Sequence, residues 1–183
     1  WSWGTATMAN VAARYPDQVH KLVLYAPLWL RPEPMPDGVV DELGSYRVVT
    51  RQAARARWLA GVPLDKQQAL IPRGWFEQWA AATWATDPLA ARSGELRAPN
   101  GVIQDGVEYW SSGRAFYDPA RIVAPALLVV GEWDRETPPD RARGLLSALT
   151  NSPGKRMVVI PEATHTVIME RNRMLLFRAV QAF

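Results

Sequence analysis

The sequence predicts an α/β fold: a mostly parallel sheet flanked by helices, with a helical segment inserted in its middle. Three observations carry this. Apolar runs alternate with amphipathic helical patterns at both ends of the chain, the order that builds parallel sheets with helices on their faces. Those runs are continuously apolar, as strands buried on both sides are. The stretch between them, residues 31–119, has helical spacing and many breakers but no strand pattern.

The elements follow in order. Residues 5–15 read as a helix in which Ala6, Ala9 and Ala13 make a narrow face of small side chains. Pro16 ends it, because the residue before a proline avoids helical geometry. The run K-L-V-L-Y-A at 21–26, closed by Pro27, reads as a buried strand. The stretch R-P-E-P-M-P-D-G, starting at Arg31, reads as a proline-stiffened crossing. Beyond it Tyr46, Val49, Ala53, Ala56 and Ala60 keep helical spacing, with Gly61 closing the helix. Arg51, Arg55 and Arg57 read as its solvated face. Trp75, Trp79 and Ala82 mark a second helical face. Two more buried strands are expected at 126–130, A-L-L-V-V, and 156–160, R-M-V-V-I. The helix between them takes Thr137 as N-cap and Pro138 as first residue, and buries Ala142, Leu145, Leu146 and Leu149. A last helix buries Leu176, Phe177, Val180 and Phe183. Residues 1–30 and 120–183 thus form the core, and 31–119 an insertion over one end of the sheet.

Composition narrows the function classes. A chain of 183 residues, 48% hydrophobic and 21% charged, suits one soluble globular core. The net charge of +3 is scattered, with no basic stripe for nucleic acid. The absence of cysteine removes disulfides, thiolate metal sites and a Cys nucleophile. No apolar run is long enough to span a bilayer. A small-molecule substrate is the expected partner. The chain has no initiator Met, so a signal peptide stays open; a cytoplasmic protein is the working expectation.

Ligands of open parallel sheets bind beyond the carboxyl ends of the strands. Three reactive side chains fall there. Asp134, in G-E-W-D-R-E-T-P, fits either a carboxylate orienting an imidazole or a turn aspartate. His165, in P-E-A-T-H-T-V, fits a general base or a surface loop histidine. Ser2, in W-S-W-G, fits a helix N-cap or a nucleophile on a sharp strand-to-helix turn. The second reading has Gly4 there because a side chain would strike the neighbouring strand. His20 precedes its strand, at the opposite end of the sheet, and drops out. Taken together, the three run in the order Ser, Asp, His, and the segment between Asp134 and His165 holds one helix and one strand. Glu132 and Glu33 are the alternative acids; Gly131 and Pro138, which bracket Asp134, favour it.

On these residues the chain resembles the C-terminal part of an α/β-hydrolase fold enzyme with a helical cap. The resemblance spans essentially the whole chain: the elbow remnant W-S-W-G, the strand V-L-Y-A-P leading into the cap, the acid segment G-E-W-D-R-E-T-P and the base loop A-T-H-T. It implies Ser2 as nucleophile, Asp134 as acid, His165 as base and the Trp3 backbone N–H as an oxyanion-hole donor, with no metal or organic cofactor. The S-W-G also resembles the prolyl iminopeptidase branch. The chain departs from the family in lacking the first strands of the sheet and the loop that supplies a second oxyanion donor. It is therefore expected to be a fragment, inactive and aggregation-prone alone. Trp75, Trp79, Trp84 and Trp110 fit either a substrate-lining role in the cap or packing. The expected activity is hydrolysis of a carboxylic ester of a small, largely apolar molecule. A prolyl iminopeptidase, a C–C bond hydrolase, or a ligand-binding protein with little turnover are the alternatives. Glu77, Glu95 and Glu108 are the cap acids that an aminopeptidase would turn toward a substrate amine.

Overall fold

Small side chains decide the first packing contact. In the computed structural model, which describes residues 1–31 and 43–183, α1 (Trp3–Arg14) buries Thr5, Ala6, Ala9, Ala12 and Ala13. A face of short side chains lets the helix lie close against the sheet. A 3₁₀ turn opened by Pro16 leads into β1 (Leu22–Tyr25). The proline-rich crossing after Arg31, with Glu33, lies outside the described residues.

The middle of the chain corrects the expectation of helices alone. β2 (Tyr46–Val49) and β3 (Leu96–Pro99) pair antiparallel, with Tyr46 opposite Pro99 and Val49 opposite Leu96. Each strand has only four residues, and its partner is far away in sequence, so no local period reports the pair. Tyr46 and Val49 therefore belong to a strand, not to the helix expected from their spacing. That helix, α2 (Arg51–Trp58), starts later, at Thr50, whose side chain accepts the Ala53 N–H at 3.1 Å. α3 (Gln67–Leu70), α4 (Trp75–Trp84) and α5 (Ala90–Ser93) follow. Trp58, Leu70, Phe76, Ala80, Trp84 and Ala90 bury together in one cluster, against which Trp133 and Met169 from later in the chain also pack. α6 (Gly101–Asp105) and a π turn over Gly106–Trp110 belong to different packing: they deliver Trp110 into the cluster built around α1.

β4 (Ala126–Gly131) and β5 (Arg156–Ile160) complete a parallel sheet of order β1-β4-β5. Leu22 faces Ala126, and Leu127 faces Arg156. Every residue of central β4 is buried, which is why its sequence is continuously apolar. Side chains alternate across the strand. Ala126, Leu128 and Val130 pack with α1, with Ala142 and Leu145 of α7 (Pro139–Ala148), and with Leu149 just after it. Leu127 and Val129 pack on the other side with Ile160, Val167 and Leu176 of α8 (Arg173–Gln181).

Two helix expectations change. α7 takes Pro138, not Thr137, as its N-cap residue, because the Thr137 hydroxyl is engaged elsewhere. α8 buries Leu176, but Phe177 and Val180 stay 37% and 39% exposed. The described sheet is three strands wide and covers only part of that stripe. No helix among the described residues is long and apolar enough to cross a membrane.

Candidate active site

Ser2 immediately precedes α1, in a backbone conformation of φ 54° and ψ −130°. A non-glycine residue held there costs about 1–3 kcal/mol and persists only when its surroundings fix it. One tie is to the sheet: the Ser2 N–H donates to the Tyr25 carbonyl at 3.1 Å, at the carboxyl end of β1. The side chain makes no capping bond to α1. The helix-cap reading therefore fails. The Ser2 Oγ lies 2.8 Å from His165 Nε2 instead. One expectation does not carry over: a Cβ placed on Gly4 would meet nothing within 4 Å, so no described atom demands glycine there.

Asp134 lies in the turn after β4 and is 1% exposed. Its Oδ1 accepts the N–H groups of Glu136 at 2.9 Å and Thr137 at 2.8 Å. Its Oδ2 accepts the Thr137 hydroxyl at 2.8 Å and faces His165 Nδ1 at 2.9 Å. Burial opposes ionisation of this carboxyl, but the bonds from His165 and Thr137 outweigh it and hold Asp134 below the usual carboxylate range. Glu132 points elsewhere, accepting the Glu162 N–H at 2.9 Å.

His165 sits in the loop after β5, 7% exposed. Its backbone carbonyl is held twice, by the Tyr25 hydroxyl at 2.6 Å and by Trp1 Nε1 at 3.0 Å. Trp1 in turn stacks on Tyr25, with ring centroids 5.8 Å apart. The preceding residue is anchored too. Buried Glu170 accepts the Thr164 N–H at 2.9 Å and the Thr164 hydroxyl, and it accepts Trp58 Nε1 of α2 at 2.9 Å. Burial works against a charged imidazole, but the hydrogen bond and charge of Asp134, with Glu136 beyond, raise His165 above the ordinary histidine value.

The acid turn and the base loop touch through Gly131. A Cβ there would stand 2.5 Å from the carbonyl oxygens of both Ala163 and Thr164. Glycine is what allows β4 to end directly under the loop that carries His165. The Trp133 N–H bonds the Ala163 carbonyl at 2.8 Å across the same contact.

The remaining sequence candidates fall at different distances from this centre. Trp3 follows Ser2 at the first position of α1, and no hydrogen bond engages its backbone N–H among the described residues. Its indole donates to Asp105 Oδ2 at 2.6 Å. Trp84 and Trp110 are 4% and 3% exposed, in two separate clusters. Both rings pack within those clusters. Trp79 packs edge-on against Trp58 at 5.4 Å, and Trp75 lies under the Arg173 guanidinium at 4.4 Å; both are half-buried. A cavity of about 440 Å³ is lined by Ser45, Tyr46, Thr86, Asp87, Leu96 and Arg97 among others, and by none of the four tryptophans.

The model of the alpha/beta hydrolase fold family matches residues 1–172. The chain belongs to the alpha/beta hydrolase family. Solved alpha/beta hydrolases resemble it in fold at low identity. A serine hydrolase involved in carbazole degradation aligns over 100% of this chain and 62% of its own, with 20% identity and a TM-score of 0.57. A serine hydrolase from the polyaromatic-hydrocarbon-degrading bacterium Cycloclasticus zankles aligns over 99% and 61%, with 15% identity and a TM-score of 0.61. A methylesterase from Arabidopsis aligns over 100% and 67%, with 15% identity and a TM-score of 0.53. The chain thus spans about three fifths of the length of the first two, 62% and 61%. No curated protein matches it.

Sequence reasoning missed several residues that build this candidate site. Thr137 was legible only as a cap, although a Thr three residues after the acid is a signal for a second donor to the carboxylate. Glu170 and Tyr25 carry no such signal, because their partners lie on other elements.

Proposed function

We propose that the protein is a serine hydrolase that cleaves a carboxylic ester of a small, largely apolar molecule through an acyl-enzyme. The observation carrying this reading is the unbroken chain of contacts from Ser2 Oγ to His165 Nε2 at 2.8 Å and from His165 Nδ1 to Asp134 Oδ2 at 2.9 Å. In this mechanism Ser2 attacks the carbonyl carbon while His165 takes its proton. Asp134 holds the Nδ1–H tautomer and stabilises the imidazolium. The tetrahedral oxyanion rests on the Trp3 N–H, whose lack of a partner among the described residues suits that role. His165 then returns the proton to the departing alcohol. Water, activated by the same base, releases the acid.

An apolar substrate fits the surroundings. Trp1 and Trp3 flank the nucleophile and remain 51% and 41% exposed. The insertion 31–119 is the proposed cap. Its residues 46–99 gather around their own aromatic cluster, with Trp75 and Trp79 half-buried at its edge. The aminopeptidase alternative has less support. Glu77 pairs with Arg55 at 3.6 Å and Glu108 with Arg114 at 2.9 Å, both on the surface.

Fluorophosphonate labelling tests the proposal. The wild-type protein should label at Ser2, Ser2→Ala should not, and His165→Ala should label slowly. Aryl esters assayed beside prolyl amides separate the ester reading from the peptidase one. Labelling that persists in Ser2→Ala would overturn the nucleophile assignment.

A further inference from the structure

α2 of the cap ends beside the catalytic candidates, and its last turn is gripped there. The Arg57 guanidinium forks onto Glu136, with Nε 2.8 Å from Oε1 and Nη2 on Oε2. Glu136 stands two residues after Asp134, and its Oε2 lies 3.7 Å from His165 Nε2. That nitrogen is the one facing Ser2. A carboxylate this close to Nε2 competes with Ser2 for the imidazole, above all once His165 is protonated. A bidentate guanidinium satisfies the carboxylate from the far side and fixes where it points.

We infer that Glu136, restrained by Arg57 of the cap, is a positioning residue for His165, and that this latch sets how readily the imidazole serves Ser2. The inference rests on the proposed role of His165 as the base. Without Arg57, Glu136 is free to swing onto Nε2, holding the imidazolium and withdrawing the base. Without Glu136, the imidazolium loses a neighbour and sheds its proton more easily. Other groups act on the ring as well: Asp134 at Nδ1, Thr137 Oγ1 at 3.4 Å from the same nitrogen, and Tyr25 and Trp1 at its carbonyl. Buried Glu170 stands behind Thr164. None of these reaches Nε2 in the structure as Glu136 does, so the latch acts on the one nitrogen that serves Ser2. The direction of the His165 shift, to which Glu136 adds and which Arg57 opposes, agrees with this placement.

The test reads the imidazole directly. The chain has two histidines, and exposed His20 serves as the internal control for an NMR pH titration. Glu136→Gln should move the His165 midpoint down, and Arg57→Ala should move it up. The ratio of kcat/KM at pH 6 to that at pH 9 should rise roughly two- to fivefold in Glu136→Gln and fall by a similar factor in Arg57→Ala, the range of a partly screened ion pair. In the double variant the effect of removing Arg57 should shrink, because it acts mainly through Glu136. Arg57→Gln replaces Arg57→Ala if the latter fails to fold. Midpoints that stay put in both variants, or move in the same direction, overturn the inference. Midpoints that move as expected in a protein that hydrolyses no ester leave the latch standing and sink the hydrolase reading instead.

Discussion

Asp134 and His165 show how one contact sets both chemistry and stability. As the proposed base, His165 must be neutral to accept the Ser2 proton, and its folded value is raised above the ordinary one by Asp134 and Glu136. The rate should therefore fall on acidification with a midpoint above 6.5. A raised histidine value stabilises the fold below the ordinary histidine range, and that contribution is lost as pH rises through the raised value. The lowered value of Asp134 contributes above its ordinary range and is lost as pH falls. The proposed enzyme works best on the alkaline side, where the His165 contribution to stability has gone. A pH–rate profile of kcat/KM checks this; an acidic limb at or below 6.5 would contradict the assignment of His165 as the buried, Asp-paired base.

Between elements, the close approach of β4 to the base loop is the decisive contact. Gly131 ends a strand with all its residues buried and lies against two carbonyl oxygens of the loop after β5. Gly131→Ala forces either the strand end or the 163–164 segment to move. The expected loss is about 1–3 kcal/mol of stability. A drop in kcat should accompany it, because His165 follows that segment directly. Denaturant melts and initial rates measured together decide the point. Wild-type rates in a destabilised variant would show that the loop yields without moving the imidazole.

Across the whole molecule, the proposed cap and the rest of the chain are joined at several points around the loop that carries His165. Trp58 reaches Glu170 at 2.9 Å, Lys66 reaches Glu162 at 3.0 Å, and the Arg171 N–H bonds the Leu70 carbonyl at 2.9 Å. Gly61 approaches so closely that a Cβ would stand 2.6 Å from the Trp133 carbonyl. Glu170 is the most buried of these ties, at 0% exposure, and burial raises its carboxyl above the usual range. It accepts three donors, whereas glutamine presents an NH₂ to one of them. Glu170→Gln should cost about 1–3 kcal/mol at pH 7, and Trp58→Phe less. Equal melting temperatures for Glu170→Gln and wild type would mean that this carboxyl does not brace the two parts.

The sequence by itself determined the parallel sheet and the three chemically reactive side chains. Both are written locally: continuous apolar runs report burial on two faces, and Ser2, Asp134 and His165 each stand next to a strand or its following turn. The small β2–β3 sheet, the packing of Trp84 and Trp110 and the bracing of Thr164 by Glu170 were decided only in three dimensions. So was Arg57, which reads as a solvated helix residue and meets Glu136 beside the imidazole. The physical reason is range. Periodicity and turn chemistry act over a few residues, whereas these contacts join elements far apart in the chain, and their partners are chosen by how the middle segment settles on the parallel sheet and its helices.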